Sequence, residues 1–326
     1  MLAVKRVKAR KDSMTKTNLR LPLLLVVLLL FAFAGAPQQP AKQIAVQRGD
    51  TISFLAIRYY GFFNDSLLAV LTQANPDKNL NALKAGDTVL FPPRATSSPK
   101  PELLKSEAAS AVLTYFEGEV SYRRPQQNPA FLPARPNLIL HSSDEIKTGN
   151  ASRAELVLDN RSVLRLDANS HLKIENLKRE GAYQAKFEFA VGSLWTRISK
   201  LFQQKPQIDV EFPTAIAGVQ GTTYRSVVAP DSATTVRVYD GAVEVRGSQS
   251  PPRPTGPPQR IGPPQQVPGP SQVSLETWIK LVRAQQEIRI AKDGKPSDPA
   301  AFRDQGAELD WVRWNQQRDR NLESEL

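Results

Sequence analysis

Gly218 and Gly221 bracket Val219 and Gln220, and Thr222 and Thr223 add two hydroxyls directly behind them. Such a stretch could fold backbone N–H groups around a small anion, which needs glycine wherever the main chain must come close. A nucleotide-binding loop needs more: a longer glycine loop, then lysine and a hydroxyl residue opening a helix. No lysine follows Gly221, and TTYRSVV is rich in β-branched and aromatic residues, which favour strands. The two glycines therefore read as a strand junction, supplying positive φ or close backbone approach. His141 and His171 are the only histidines. HSSD, His141 to Asp144, holds the residue types of a hydrolase triad, but triad members meet in space and not in sequence. Two histidines are too few for a histidine zinc site unless carboxylates complete it. With no cysteine, thiolate metal sites, disulfides and cysteine nucleophiles are excluded. No catalytic residue, metal or cofactor is expected.

The net charge of +11 raises the question of nucleic acid or anionic membrane. Its distribution argues against a basic face. Seven of the 43 Lys and Arg residues precede Leu21, against one acid, so 36 basic and 31 acidic residues remain beyond Arg20. The uncharged run LPLLLVVLLLFAFAGA, Leu21 to Ala36, follows that basic start and has the length of a secretory signal core. Residues 1–36 read as a signal peptide or signal anchor, which would place the rest in the periplasm of a Gram-negative bacterium, anchored to the inner membrane if uncleaved. Ala34-Gly35-Ala36 suits signal peptidase; Pro37 suits it poorly and keeps the anchor open.

The elements that would position any site differ along the chain. Residues 43–93 read as strand, helix, helix, strand. Asp50 or Thr51 caps the first helix, Gly61 ends it, Asn75-Pro76 ends the second, and Gly86-Asp87 turns into TVLFP. Residues 94–110 are a small, polar, proline-bearing linker. Over 111–247 short segments alternate apolar and charged residues, as in Leu164-Arg165-Leu166, Leu172-Lys173-Ile174 and Val243-Glu244-Val245. That is strand periodicity, with turns about every ten residues, and it predicts an all-β sandwich or β-roll. Nine prolines between Pro251 and Pro270 make 248–273 an extended spacer or a ligand for an aromatic groove. Residues 274–326 are expected to form short helices. The first starts at Ser274 with Leu275, Trp278, Ile279 and Val282 on one face; the second carries Leu309, Trp311 and Trp314 and docks on the β body.

Two family resemblances lie in this chain. Val46, Gly49-Asp50-Thr51-Ile52, Leu55, Ala56, Tyr59, Asn75-Pro76, Leu83, Gly86-Asp87, Leu90 and Pro92 resemble the LysM domain over residues 43–93. The resemblance implies binding of N-acetylglucosamine in peptidoglycan. Carried over, the groove has Gly49, Asp50, Thr51 and Ile52 on one side and Ala74, Asn75, Pro76, Leu80 and Leu83 on the other. GEVSYRR, the segment from Ser142 to Ile174, FAVGSLWTRI, FPTAIAGVQGTTYRSVV and VRVYDGAVEV resemble the FecR domain over 111–247. That resemblance implies an all-β periplasmic module. The expected protein is multidomain: an α+β LysM domain beside an all-β FecR-like body. Its expected function is non-catalytic, holding peptidoglycan and using the β body or the Trp-containing tail for another envelope protein. A peptidoglycan-processing enzyme and a membrane-anchored signal relay are the alternatives.

Overall fold

Alternation of apolar and polar side chains organises most of the chain. The computed structural model describes residues 40–93, 109–178, 183–200, 207–219, 221–248 and 278–324. Residues 1–36, most of the linker, Pro251–Pro270, Ser274, Leu275 and Gln220 lie outside the described residues. No helix among the described residues is long and apolar enough to cross a membrane. Ala41–Leu326 forms one compact unit.

The body is built from two sheets. In the first, β6 (Ile139–Leu140), β3 (Ala111–Glu117), β8 (Arg153–Leu158), β9 (Val163–Leu166), β11 (Gln184–Arg197), β14 (Thr223–Val228), β15 (Thr234–Asp240), β18 (Gln286–Ile290) and β19 (Ala300–Ala301) pair in that order. In the second the order is β5 (Asn128–Pro133), β4 (Val120–Arg124), β7 (Glu145–Thr148), β10 (His171–Lys178), β11, β12 (Gln207–Glu211), β13 (Ala215–Val219), β16 (Ala242–Gly247) and β17 (Ile279–Arg283). Among the described residues only the β11–β12 pairing is parallel. Inward side chains of both sheets, among them Leu156, Leu164, Leu172, Phe187, Tyr224 and Val245, meet in one apolar core.

β11 belongs to both sheets. Its Val191 pairs with His171 in the second, and the next residue, Gly192, pairs with Val228 in the first. Other crossings between the sheets turn at residues with positive φ, including Gly118, Ala151, Asn169, Gly221, Gly241 and Gln285. Gly221 is therefore a corner, as its sequence suggested. Gly218 is not part of that turn: it sits inside β13, paired with Asp209 and Glu244. A Cβ on Gly221 would approach only the flexible Lys200 side chain, at 3.1 Å, so the φ of +60° dominates the cost. Gly221→Ala is expected to lower stability by about 1 kcal/mol, a fall in melting temperature of about 2–4 °C. Calorimetry of the two proteins checks it.

The segment from Ile279 to Ile290 corrects the helix predicted from Ser274. It is two strands joined by a corner at Gln285, with β17 extending the second sheet beside β16 and β18 extending the first beside β15. Val282 and Ile288 point into the core. Of the expected C-terminal helices one is present, α3 (Ala307–Glu323).

Residues 41–93 contribute β1 (Lys42–Ala45), α1 (Ile52–Tyr60), α2 (Asp65–Ala74) and β2 (Thr88–Phe91), with β1 and β2 antiparallel. Thr51 and Asn64 cap the two helices, and Gly61, at φ 91°, ends α1. The apolar interior of this unit is not closed on itself. Ile44, Ile52, Leu55, Leu71, Val89 and Phe91 cluster with Val112, Val157 and Val163 from the outer face of the first sheet, and with Leu322 of α3.

Candidate functional site

The outer face of the first sheet carries a row of side chains in register across seven strands. Tyr115 stands opposite Glu155, Glu155 opposite Arg165, and Arg165 opposite Trp195. The row continues through Arg225, Arg237 and Glu287. Alternation alone would leave these residues in water. Instead α3 lies along the row, and Glu155, Arg165 and Trp195 have no exposed surface. The covering face of α3 is Trp311, Asn315, Arg318, Asp319 and Leu322, a helical spacing made mostly of polar residues.

The charges are paired in detail. Glu155 accepts from Arg165 Nε at 2.6 Å, Arg318 Nε at 2.8 Å, Arg318 Nη2 at 2.7 Å and Thr114 Oγ1 at 2.8 Å. Arg165 Nη1 also reaches Asp319, whose other oxygen accepts from Trp195 Nε1 at 3.1 Å. At the other end of α3, Glu308 accepts from Arg237 Nη1. Burial alone would push the Glu155 carboxyl up, but Arg318 and Arg165 overcome it and hold the group well below the usual carboxylate range. Burial disfavours the Arg318 cation, and the Glu155 carboxylate more than restores it. The Arg318 guanidinium also lies 4.8 Å from the Phe54 ring and 4.7 Å from the Tyr115 ring. One side chain thus joins α1, the sheet and α3.

This junction is where half of the predicted glycan groove sits. A side chain added at Gly49, which has φ 86°, would touch Tyr115 and Arg318 at 3.5 Å. Asp50 accepts from Gln47 N at 2.9 Å, and burial raises its pKa, partly offset by Arg58 and Arg318. Thr51 Oγ1 caps α1 through Phe54 N and donates to Thr114 O at 2.6 Å. Ile52 is fully buried. Asn137, from the loop before β6, bridges the start of α1 and the segment before β2: its Oδ1 accepts from Ser53 N at 3.1 Å and its Nδ2 donates to Asn81 Oδ1 at 2.8 Å.

The remaining predicted residues have other surroundings. Asn75 is committed to main chain, donating to Leu71 O and Leu90 O and accepting from Leu90 N, each at 2.8 Å. Ala74, Asn75 and Pro76 line a cleft of about 330 Å³ with Gln43, Asp77, Lys78, Thr88 and Leu90. Gly49 to Ile52 do not line that cleft. Leu80 is buried and Leu83 half-buried in the apolar cluster of this unit. Sequence reasoning missed Asn137, Thr114, Glu155, Arg165 and Arg318. The α3 face could have been found from the spacing of Trp311, Asn315, Arg318 and Leu322; nothing near Asn137 in the sequence marks it.

The histidines do not meet. His141 lies in a turn where its backbone N–H donates to Asp144 Oδ2 at 3.0 Å. His171 Nε2 lies 2.9 Å from Glu145 Oε2, which also accepts from Arg123. Burial lowers the His171 pKa more than Glu145 raises it.

The sheet order and the corner glycines can now be set beside known proteins. Residues 144–244 match the FecR protein family. The FecR match runs from Asp144 to Glu244, taking in β7 through the first half of β16 and including Glu155, Arg165 and Trp195. It does not reach residues 43–93 or α3. No curated protein matches the chain. Two crystal structures of a "putative anti-sigma factor" from Parabacteroides distasonis ATCC 8503 are similar to it, with TM-score 0.36 and 14% identity. They align with 52% of this chain, which spans 63% and 64% of theirs, less than two thirds of their length.

Proposed function

We propose that this protein is a non-catalytic relay of the bacterial envelope, in which a LysM-like unit reads N-acetylglucosamine glycan and a FecR-like sandwich passes the state of that unit on. The observation that carries the reading is the bond from Thr51 Oγ1 to Thr114 O at 2.6 Å. Thr51 belongs to the loop that the resemblance assigns to glycan, and Thr114 also donates to Glu155, inside the FecR match. A change at that loop is therefore felt by the sheet through direct bonds. The export-type amino terminus places this activity in the periplasm. The receiving partner is another envelope protein, engaged through the sandwich and not through Trp311, which is buried against it. The FecR match favours the relay over a passive tether or a wall-processing enzyme.

Two measurements test it. Mature protein is pelleted with purified sacculi and eluted with chitotetraose, and amide exchange is followed with and without that sugar. Retention, with altered exchange within residues 144–244, is expected. Retention without any change there would leave a tether and remove the relay. Release of muropeptides would make the protein an enzyme.

A further inference from the structure

The Asn137 carboxamide occupies the groove as an amide ligand would. Its carbonyl takes the Ser53 N–H at the start of α1, and its NH2 group binds Asn81 on the opposite side. The side chain is 7% exposed. An acetamido group presents the same pair, a carbonyl acceptor and an N–H donor on one planar amide. One slot cannot hold both.

We propose that Asn137 is an internal competitor for the acetamide, so that sugar binding and docking of the LysM-like unit on the FecR-like sandwich exclude one another. This rests on the glycan reading above and adds its regulation. The loop that carries Asn137 is fixed to the sandwich. Asn137 stands at φ 62°, Leu138 is buried in the core and accepts from Leu113 N at 2.8 Å, and Ile139 and Leu140 pair with β3. The Asn137 main chain therefore cannot move aside without breaking strand pairing, and its side chain leaves the slot only by giving up its bonds to both Ser53 and Asn81. The unit is held by a few polar links, Thr51 to Thr114, Arg58 Nη2 to Ser324 Oγ at 2.8 Å, and Phe54 against Arg318, together with the apolar cluster it shares with Val112, Val157, Val163 and Leu322. Entry of an acetamide lifts the unit and breaks these links. By linkage, whatever holds α3 down weakens sugar binding by the same factor that sugar loosens α3. Glycan occupancy is then reported to the sheet as the loss of a contact.

The test uses the full mature chain and chitotetraose. Asn137→Gly removes the carboxamide and keeps the positive φ that glycine adopts freely. It is expected to tighten chitotetraose binding about tenfold or more, the equivalent of about 1.4 kcal/mol, with faster exchange at the Ser53 amide. Because the chain has no cysteine, Asn81→Cys with Asn137→Cys can be bridged by a cleavable bismaleimide. The bridged protein is expected to lose sugar binding and regain it on cleavage, a readout that does not depend on how well Asn137→Gly folds. Equal affinity in wild type and Asn137→Gly, or full affinity in the bridged protein, overturns the competition and leaves glycan binding standing. No affinity in any of the three proteins, uncrosslinked pair included, overturns glycan binding and the competition with it.

Discussion

Glu155→Ala is expected to release α3 and destabilise the protein by about 3–5 kcal/mol, the range for removing one partner of a buried ion pair. Glu155 is the shared anion of two arginines, and no exposed surface is left on Glu155 or Arg165 to rehydrate them. Removing it leaves two cations facing each other under the helix. Arg165 keeps Asp319 as a direct partner, but Arg318 keeps only its aromatic neighbours and the charge of Asp50, to which no direct bond is made. Glu155→Gln preserves the shape and loses the charge, so it should destabilise nearly as much. Chemical denaturation measures the difference, and tryptophan emission reports Trp195, Trp311 and Trp314 at the same time. A loss under 1 kcal/mol would mean that the apolar contacts of Trp311 and Leu322 hold α3 unaided. The pH dependence has a definite sign. The folded carboxyl is held below its unfolded value, so its contribution is complete above the ordinary glutamate pKa of about 4.3 and is lost as pH falls toward the folded value. Acid should free α3 only well below pH 4 in the wild type.

Gly192→Ala should cost about 3–5 kcal/mol, from left-handed backbone strain together with overpacking. At φ 109° an added Cβ would lie 2.6 Å from Ser170 Cα and 2.1 Å from its Oγ. Ser170 cannot retreat: its N–H is bonded to Thr148 Oγ1 and its Oγ accepts from Ser193 N. The backbone of β11 must shift at the point where it leaves one sheet for the other. The contrast is Gly221→Ala, where only the Lys200 chain is in the way. Equal melting temperatures for the two variants would refute this account of the strand crossing.

How much of this was legible in the sequence varies with the kind of evidence. Strands with a strict period of two, such as Leu164 to Leu166, could be read directly because each buries one face. Caps were equally plain: Thr51 and Gly61 bound α1 through chemistry local to the chain. The strand pair from Ile279 to Ile290 was misread because a short apolar run fits both periods. Trp278, Ile279 and Val282 fit a helix, and the deciding fact is non-local: β15 and β16 each offer an open edge there. Arg165 and Glu155 looked like a solvated face for the same reason. Their partners Asp319 and Arg318 on α3 lie more than 150 residues away in sequence, and no local pattern shows that a polar helix face will cover them. The residues predicted for the groove come from motif alone, whereas the contact of Asn137 with Ser53 and Asn81 comes from a separate loop that no motif marks.

The closure of the charged row by α3 has a consequence for biogenesis. Arg318 and Asp319 belong to the last element of the described chain, so Glu155 and Arg165 face water until that element arrives. A growing chain then presents ionised side chains on this sheet face, where an equivalent leucine face would invite sheet-to-sheet aggregation. The polar row keeps the half-made protein soluble, and the final helix turns the same charges into an interior.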